Sequence, residues 1–156
     1  MVGIILVGVD DSQTALRAAE RAAMLALAFG AELQIVSASN VNMTKTFEAV
    51  KEEDDPEAMS HAYRELLTQS AQRAENIAAG VAEILRRNFP NLKVSSKAAA
   101  GAPGVAILNE SRRIDADIIV VGNRRVQGPA RILGSIARTI AAETTCDLYV
   151  VNTHPR

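Results

Sequence analysis

Five short runs of apolar, β-prone residues recur along the chain, each separated from the next by a stretch with helical spacing. They are 2–9 (VGIILVGV), 33–39 (LQIVSAS), 92–98 (LKVSSKA), 117–121 (DIIVV) and 147–151 (DLYVV). An apolar run without alternation marks a strand covered on both faces. Such strands alternating with helices predict an α/β fold, a parallel sheet between two helix layers. Right-handed crossovers leave few topologies. A doubly wound sheet reverses its winding once, and ligands bind there, outside the carboxyl ends of the strands.

The connecting segments fill in the pattern. Asp10-Asp11-Ser12 opens a helix to about Phe29, with Ala15, Ala19, Ala22, Ala26 and Phe29 inward and Gly30 as its stop. A long helix is predicted over 56–88, with Tyr63, Leu67, Ala71, Ala74, Ala78, Val81 and Leu85 on one face. Gly80 weakens it slightly. Gly101-Ala102-Pro103-Gly104 reads as a turn before a short helix from Val105 to Ile114. A last helix is expected over 135–144, with Ile136 and Ile140 inward. Residues 40–57 carry an acidic run, Glu52 to Glu57, and are expected to form a flexible flap. A chain of 156 residues suits one domain, 1–156.

Composition removes several classes. The net charge is −1, from 17 basic and 18 acidic side chains, which disfavours a nucleic-acid binder. Aromatics are only 3%, so base-stacking platforms are disfavoured too. His61, Cys146 and His154 are too few for a structural zinc site. A lone Cys146 fits a reducing, cytoplasmic setting, where it reads as a small buried hydrophobe. No signal peptide is visible, and no stretch approaches the roughly 20 apolar residues of a membrane span.

The strongest chemical signal is 122–135, GNRRVQGPARILGS, between the fourth strand and the last helix. Gly122, Gly128 and Gly134 let backbone N–H groups approach a ligand. The N–H groups of Ser135 and Ile136 stand at a helix start, where the dipole favours an anion. From Gly122 to Arg138 there are four arginines (Arg124, Arg125, Arg131 and Arg138) and no acid. We favour phosphate binding over the plainer reading of turn glycines and solvated arginines. The loop is not a Walker A loop, because no Gly-Lys-Ser/Thr ends it, and no GxGxxG follows the first strand. At the end of that strand, Asp10 is expected to meet a ligand, whereas Asp11 is expected to cap the helix, a role Ser12 also fits.

This order of motifs resembles the universal stress protein family over nearly the whole chain. The resemblance rests on Asp10, on Gly101-x-Pro103, on Gly122 with Gly134-Ser135, and on the ending GSIARTIAAETTCDLYVV. The family motif is G-x2-G-x9-G-(S/T). Here Arg125 stands at the second glycine, and the spacing to Gly134 is one residue shorter. The resemblance implies a Rossmann-like fold with five parallel strands in the order 3-2-1-4-5. In the ATP-binding branch, adenine would meet Asp10 and the backbone at Val9 and Ala38. The turn at Gly101 would lie nearby. Ribose and phosphates would lie on Gly122, Asn123, Gly134, Ser135 and Ile136, with Gly128 offsetting the shorter loop. Arg125 would either obstruct a triphosphate or serve it with a guanidinium, so ATP, AMP and cyclic AMP all stay open. Mg2+ would accompany ATP.

Three other classes compete. A phospho-receiver also has acids after its first strand, but it needs an Asp ending strand three and a Lys ending strand five. The chain has Lys97-Ala98 and Asn152-Thr153 there. An ATP-using enzyme would need a base beside the phosphate loop, and only Asp10 and Asp11 are in reach, so at most slow hydrolysis is expected. A dimeric scaffold without nucleotide remains as the alternative. In the implied strand order the strand 147–152 lies at the sheet edge with no Lys or Pro to block pairing, so a homodimer through it is expected.

Overall fold

The computed structural model describes residues 1–41, 56–123 and 133–153. Arg125, Gly128, His154 and most of the expected flap lie outside the described residues. The strands are β1 (Ile4–Val9), β2 (Glu32–Ser39), β3 (Val94–Ala100), β4 (Ile118–Asn123) and β5 (Asp147–Asn152). The helices among the described residues are α1 (Gln13–Phe29), α2 (Pro56–Asn88), α3 (Pro103–Ile114) and α4 (Ser135–Glu143). The strands form one parallel sheet in the order β3-β2-β1-β4-β5. The winding direction changes between β1 and β4.

Both faces of the central strands are buried, which is why their sequences are apolar without alternation. Ile5, Val7, Leu33, Ile35 and Val120 pack under α1 and α2. Leu6, Val36, Ile119 and Val121 pack under α3 and α4. Helix α1 meets the sheet through alanines: Ala15, Ala18, Ala19, Ala22, Ala23 and Ala26 are all buried. Ser12 is its N-cap, accepting from the Ala15 amide at 3.1 Å, and Gly30 ends it in the left-handed region at φ 66°. The Cβ-free backbone of Gly30 takes that conformation without strain.

Several local expectations are corrected. Phe29 is 50% exposed. On α2, burial begins at Ala74; Leu67 is 40% exposed and Ala71 is exposed, so the first half of the helix runs past the sheet. Strand β3 starts two residues later than expected. Leu92 instead closes a turn on the Phe89 carbonyl at 3.0 Å and plugs the core beneath it. Helix α3 begins at Pro103, whose fixed φ suits the first helical position. Ile136 is 39% exposed; Ala137 and Ile140 are the inward residues of α4. Asp11 does not cap α1, because Ser12 takes that place.

Away from the carboxyl ends, two carboxylates brace the fold. Asp117 accepts from the Gly3 and Ile4 amides at 2.7 and 3.0 Å, pinning the start of β1. Glu110, buried on α3, takes a two-pronged contact from Arg113 at 2.6 and 2.9 Å and a third from Lys97 at 3.4 Å. The Arg113 bond holds the Glu110 carboxyl below the usual range, helped by Lys97 and opposed by burial. The Ile4 and Gly3 amides do the same for Asp117. A carboxyl whose folded pKa is depressed stabilises the protein above its unfolded pKa and loses that contribution as pH falls through the folded pKa. Urea midpoints are therefore expected to drop as pH falls below about 4. Glu110→Gln is expected to flatten that decline; an unchanged slope would mean that other groups carry it.

Candidate functional site

Helices α1, α3 and α4 all start at carboxyl ends of strands, and a cleft of about 500 Å³ opens among them. Its floor is the ends of β1, β2 and β4: Gly8, Val9, Ala38, Val121 and Gly122. Ser70, Arg73, Ala74 and Ile77 of α2 form one wall. Pro103 and Ile107 of α3 and residues 134–137 form the other. The volume falls within the usual range for small-molecule sites.

The acids at the rim are engaged. Asp10 Oδ1 accepts from the Ser12 amide at 2.9 Å and from the Ser12 hydroxyl. Asp11 pairs with Arg73 at 2.8 Å, tying the β1–α1 turn to α2. Both partners of that pair are mostly exposed, so its contribution to stability is small. It does fix where a positive charge stands beside the cleft. Among the described residues, no three His, Cys, Asp or Glu side chains gather as a metal site.

The opposite end of the cleft favours negative charge. Gly134 is the N-cap of α4, with no side chain capping the helix and no acid in its first turn. The Arg138 amide, bonded to the Gly134 carbonyl at 3.0 Å, is the first donor of the helix ladder. The amides of residues 135–137 thus have no partner within the helix, and they stand at its positive end.

The sequence-derived residues divide accordingly. Val9, Asp10, Ala38, Gly122, Gly134, Ser135 and Ile136 all line this cleft. The Val9 side chain points into the core, leaving its backbone to the cleft. Asn123 stands behind the lining, its Oδ1 accepting from the Gly134 amide at 3.2 Å. Gly101 is not part of the lining; at φ +117° it makes the turn from β3 into α3. Gly122 lies within β4, not in a loop, and a Cβ there would sit 3.3 Å from the Thr14 carbonyl oxygen. Its lack of a side chain lets α1 approach the sheet. Sequence reasoning missed the α2 wall. Ser70, Ala74 and Ile77 recur at four and three residues, and placing that face over the switch point would have found it. Cys146 is half-buried, with its Sγ 3.3 Å from the Thr144 hydroxyl.

The family model described as the universal stress protein family matches residues 1–152. The chain belongs to the universal stress protein family. A universal stress protein of Mycobacterium tuberculosis is 27% identical over 154 residues, spanning 96% of this chain and 95% of that protein. A universal stress protein solved in complex with cAMP is 25% identical, with a TM-score of 0.67, covering 98% of this chain and 99% of its own. A universal stress protein of Lactobacillus plantarum shares 20% identity and the same fold, with a TM-score of 0.73 over 97% of this chain and 98% of its own. The five parallel strands and their order are those of a Rossmann-like universal stress domain.

Proposed function

We propose that this universal stress protein binds an adenine nucleotide in the cleft and acts as a regulatory stress-response protein with little or no turnover. The observation that carries the proposal is a single cleft joining a floor at Val9, Asp10 and Ala38 to the amides at the start of α4. The base would lie against β1, β2 and the Ile77 side chain. The phosphate would lie on the amides of Ser135 and Ile136. The complex of a related universal stress protein with cAMP supports this choice of ligand class. ATP, AMP and cyclic AMP share the chemistry that the cleft recognises, and Mg2+ would arrive on the phosphates of ATP. Little turnover is part of the proposal because the cleft is poor in bases: among the described residues, Asp10 and Asp11 are the acids that line it.

Calorimetry with ATP, ADP, AMP and cyclic AMP tests the reading. Saturable heat with at least one of them is expected; none at millimolar ligand would favour a nucleotide-free scaffold.

The proposal extends to a cytoplasmic homodimer. Strand β5 is at the sheet edge, and Tyr149 on it is 45% exposed. Val151 on the same strand is buried and does not present a side chain to a partner. Tyr149→Lys is therefore the change expected to weaken a β5 interface, and a monomer mass for the parent by light scattering would remove it. Among the described residues no helix is long and apolar enough to cross a membrane.

A further inference from the structure

We infer that Thr153, which does not line the cleft, is a positioning residue for the anion-binding end of the site. The inference rests on the nucleotide reading above for its ligand, but its geometry stands on bonds outside the cleft. Helix α4 starts without a side-chain cap, so the Gly134 amide is not held by the helix's own residues. It is fixed from outside: the Gly134 amide donates to Asn123 Oδ1 at 3.2 Å, across eleven positions of sequence. Asn123 is the last residue of β4, and its carbonyl accepts from the Thr153 hydroxyl at 2.9 Å. Thr153 is buried, and its own carbonyl accepts from Arg17 of α1 at 2.9 Å.

The result is a string of three hydrogen bonds, Arg17 to Thr153 to Asn123 to Gly134. It runs from α1, past the end of β5, to the N-cap of α4. A buried hydroxyl on a backbone carbonyl holds that peptide in one orientation, because leaving either group unpaired is costly. The Asn123 side chain leaves the same residue and carries the bond to Gly134. Releasing Thr153 therefore loosens Asn123, and with it the placement of the amides after Gly134. Binding sites lose affinity when their donors drift by fractions of an ångström, even if every donor remains.

Thr153→Val removes the hydroxyl at nearly constant volume, and Thr153→Ser restores it. By calorimetry with AMP and cyclic AMP, Thr153→Val is expected to raise Kd about fivefold, the effect of one neutral hydrogen bond. Thr153→Ser is expected to bind like the parent. In an Asn123→Ala background the link to Gly134 is already cut, so Thr153→Val should add nothing further. A general loss of stability would instead add in full. Unchanged affinity in Thr153→Val, or additive effects with Asn123→Ala, would overturn the inference. If the parent binds no adenine nucleotide, the nucleotide reading falls on that result alone. The Gly134 amide resonance then decides the positioning role. A faster-exchanging, shifted Gly134 amide in Thr153→Val, recovered in Thr153→Ser, supports it; an unaltered amide overturns it. Should Thr153→Val fail to fold, Arg17→Met loosens the same string from an exposed position and is read in the same two ways.

Discussion

Gly134→Val is expected to abolish adenine-nucleotide binding while the protein stays folded. Gly134 has φ −58° and ψ 156°, an extended conformation that a β-branched residue accepts. Among the described residues, a Cβ on it would meet only Asn123 Oδ1, at 3.6 Å, an ordinary contact. The methyl groups beyond it would stand over the amides of Ser135 and Ile136, where a phosphate needs to approach. Excluding two charge-assisted hydrogen bonds of about 1.5–3 kcal/mol each weakens binding by roughly a hundredfold or more. Calorimetry reads the loss and circular dichroism the retained fold. Parent-like affinity would move the phosphate away from α4.

Gly8→Val is expected to destabilise the protein by about 1–3 kcal/mol, the usual range of overpacking penalties. Gly8 is the fifth residue of β1, in the cleft floor. A Cβ there would fall 2.3 Å from Cδ1 and 3.0 Å from Cγ1 of Ile107, which is buried against Leu6, Val36 and Ile119. Ile107 also lines the cleft, so the clash is relieved by turning its Cδ1 toward that space or by shifting α3, and either move gives up packing against Leu6, Val36 and Ile119. Ile107→Ala should recover part of the loss when combined with Gly8→Val, as a shared-space pair does. Additive urea midpoints for the two changes would show that Ile107 is not what Gly8 makes room for.

Much of this was legible in the sequence because burial on both faces leaves so plain a mark. Leu6 serves one core and Ile5 and Val7 the other, so β1 had to be apolar throughout. Ser12 and Gly30 bounded α1 by side-chain chemistry and by a left-handed φ, both local effects. The start of β3 was not legible: Leu92 is buried whether it lies in a strand or plugs a turn, and only pairing with β2 separates the two. Ile136 looked like a core residue by spacing, yet it faces outward at the cleft where α4 begins. The Arg73–Asp11 pair and the Thr153–Asn123 bond join residues that are 62 and 30 positions apart. No periodicity marks such meetings, because they come from tertiary placement alone.

Helix α2 has 33 residues, a rod of about 50 Å, while β3 beneath it has seven residues and spans about 23 Å. Its buried residues, Ala74 to Leu85, anchor only the second half. The cleft wall, Ser70 to Ile77, straddles the boundary between the anchored half and the overhanging half. The rod is thus a cantilever clamped at one end, with the ligand site at the clamp. Local opening should be cheap from Pro56 to about Arg73 and approach the full unfolding cost beyond Ala78. A molecule gripped between Ile77 and the sheet would extend the clamp by a turn or more, so occupancy would read out as slowed amide exchange upstream of Ser70. The length of one helix converts a filled cleft into a stiffer arm well outside it.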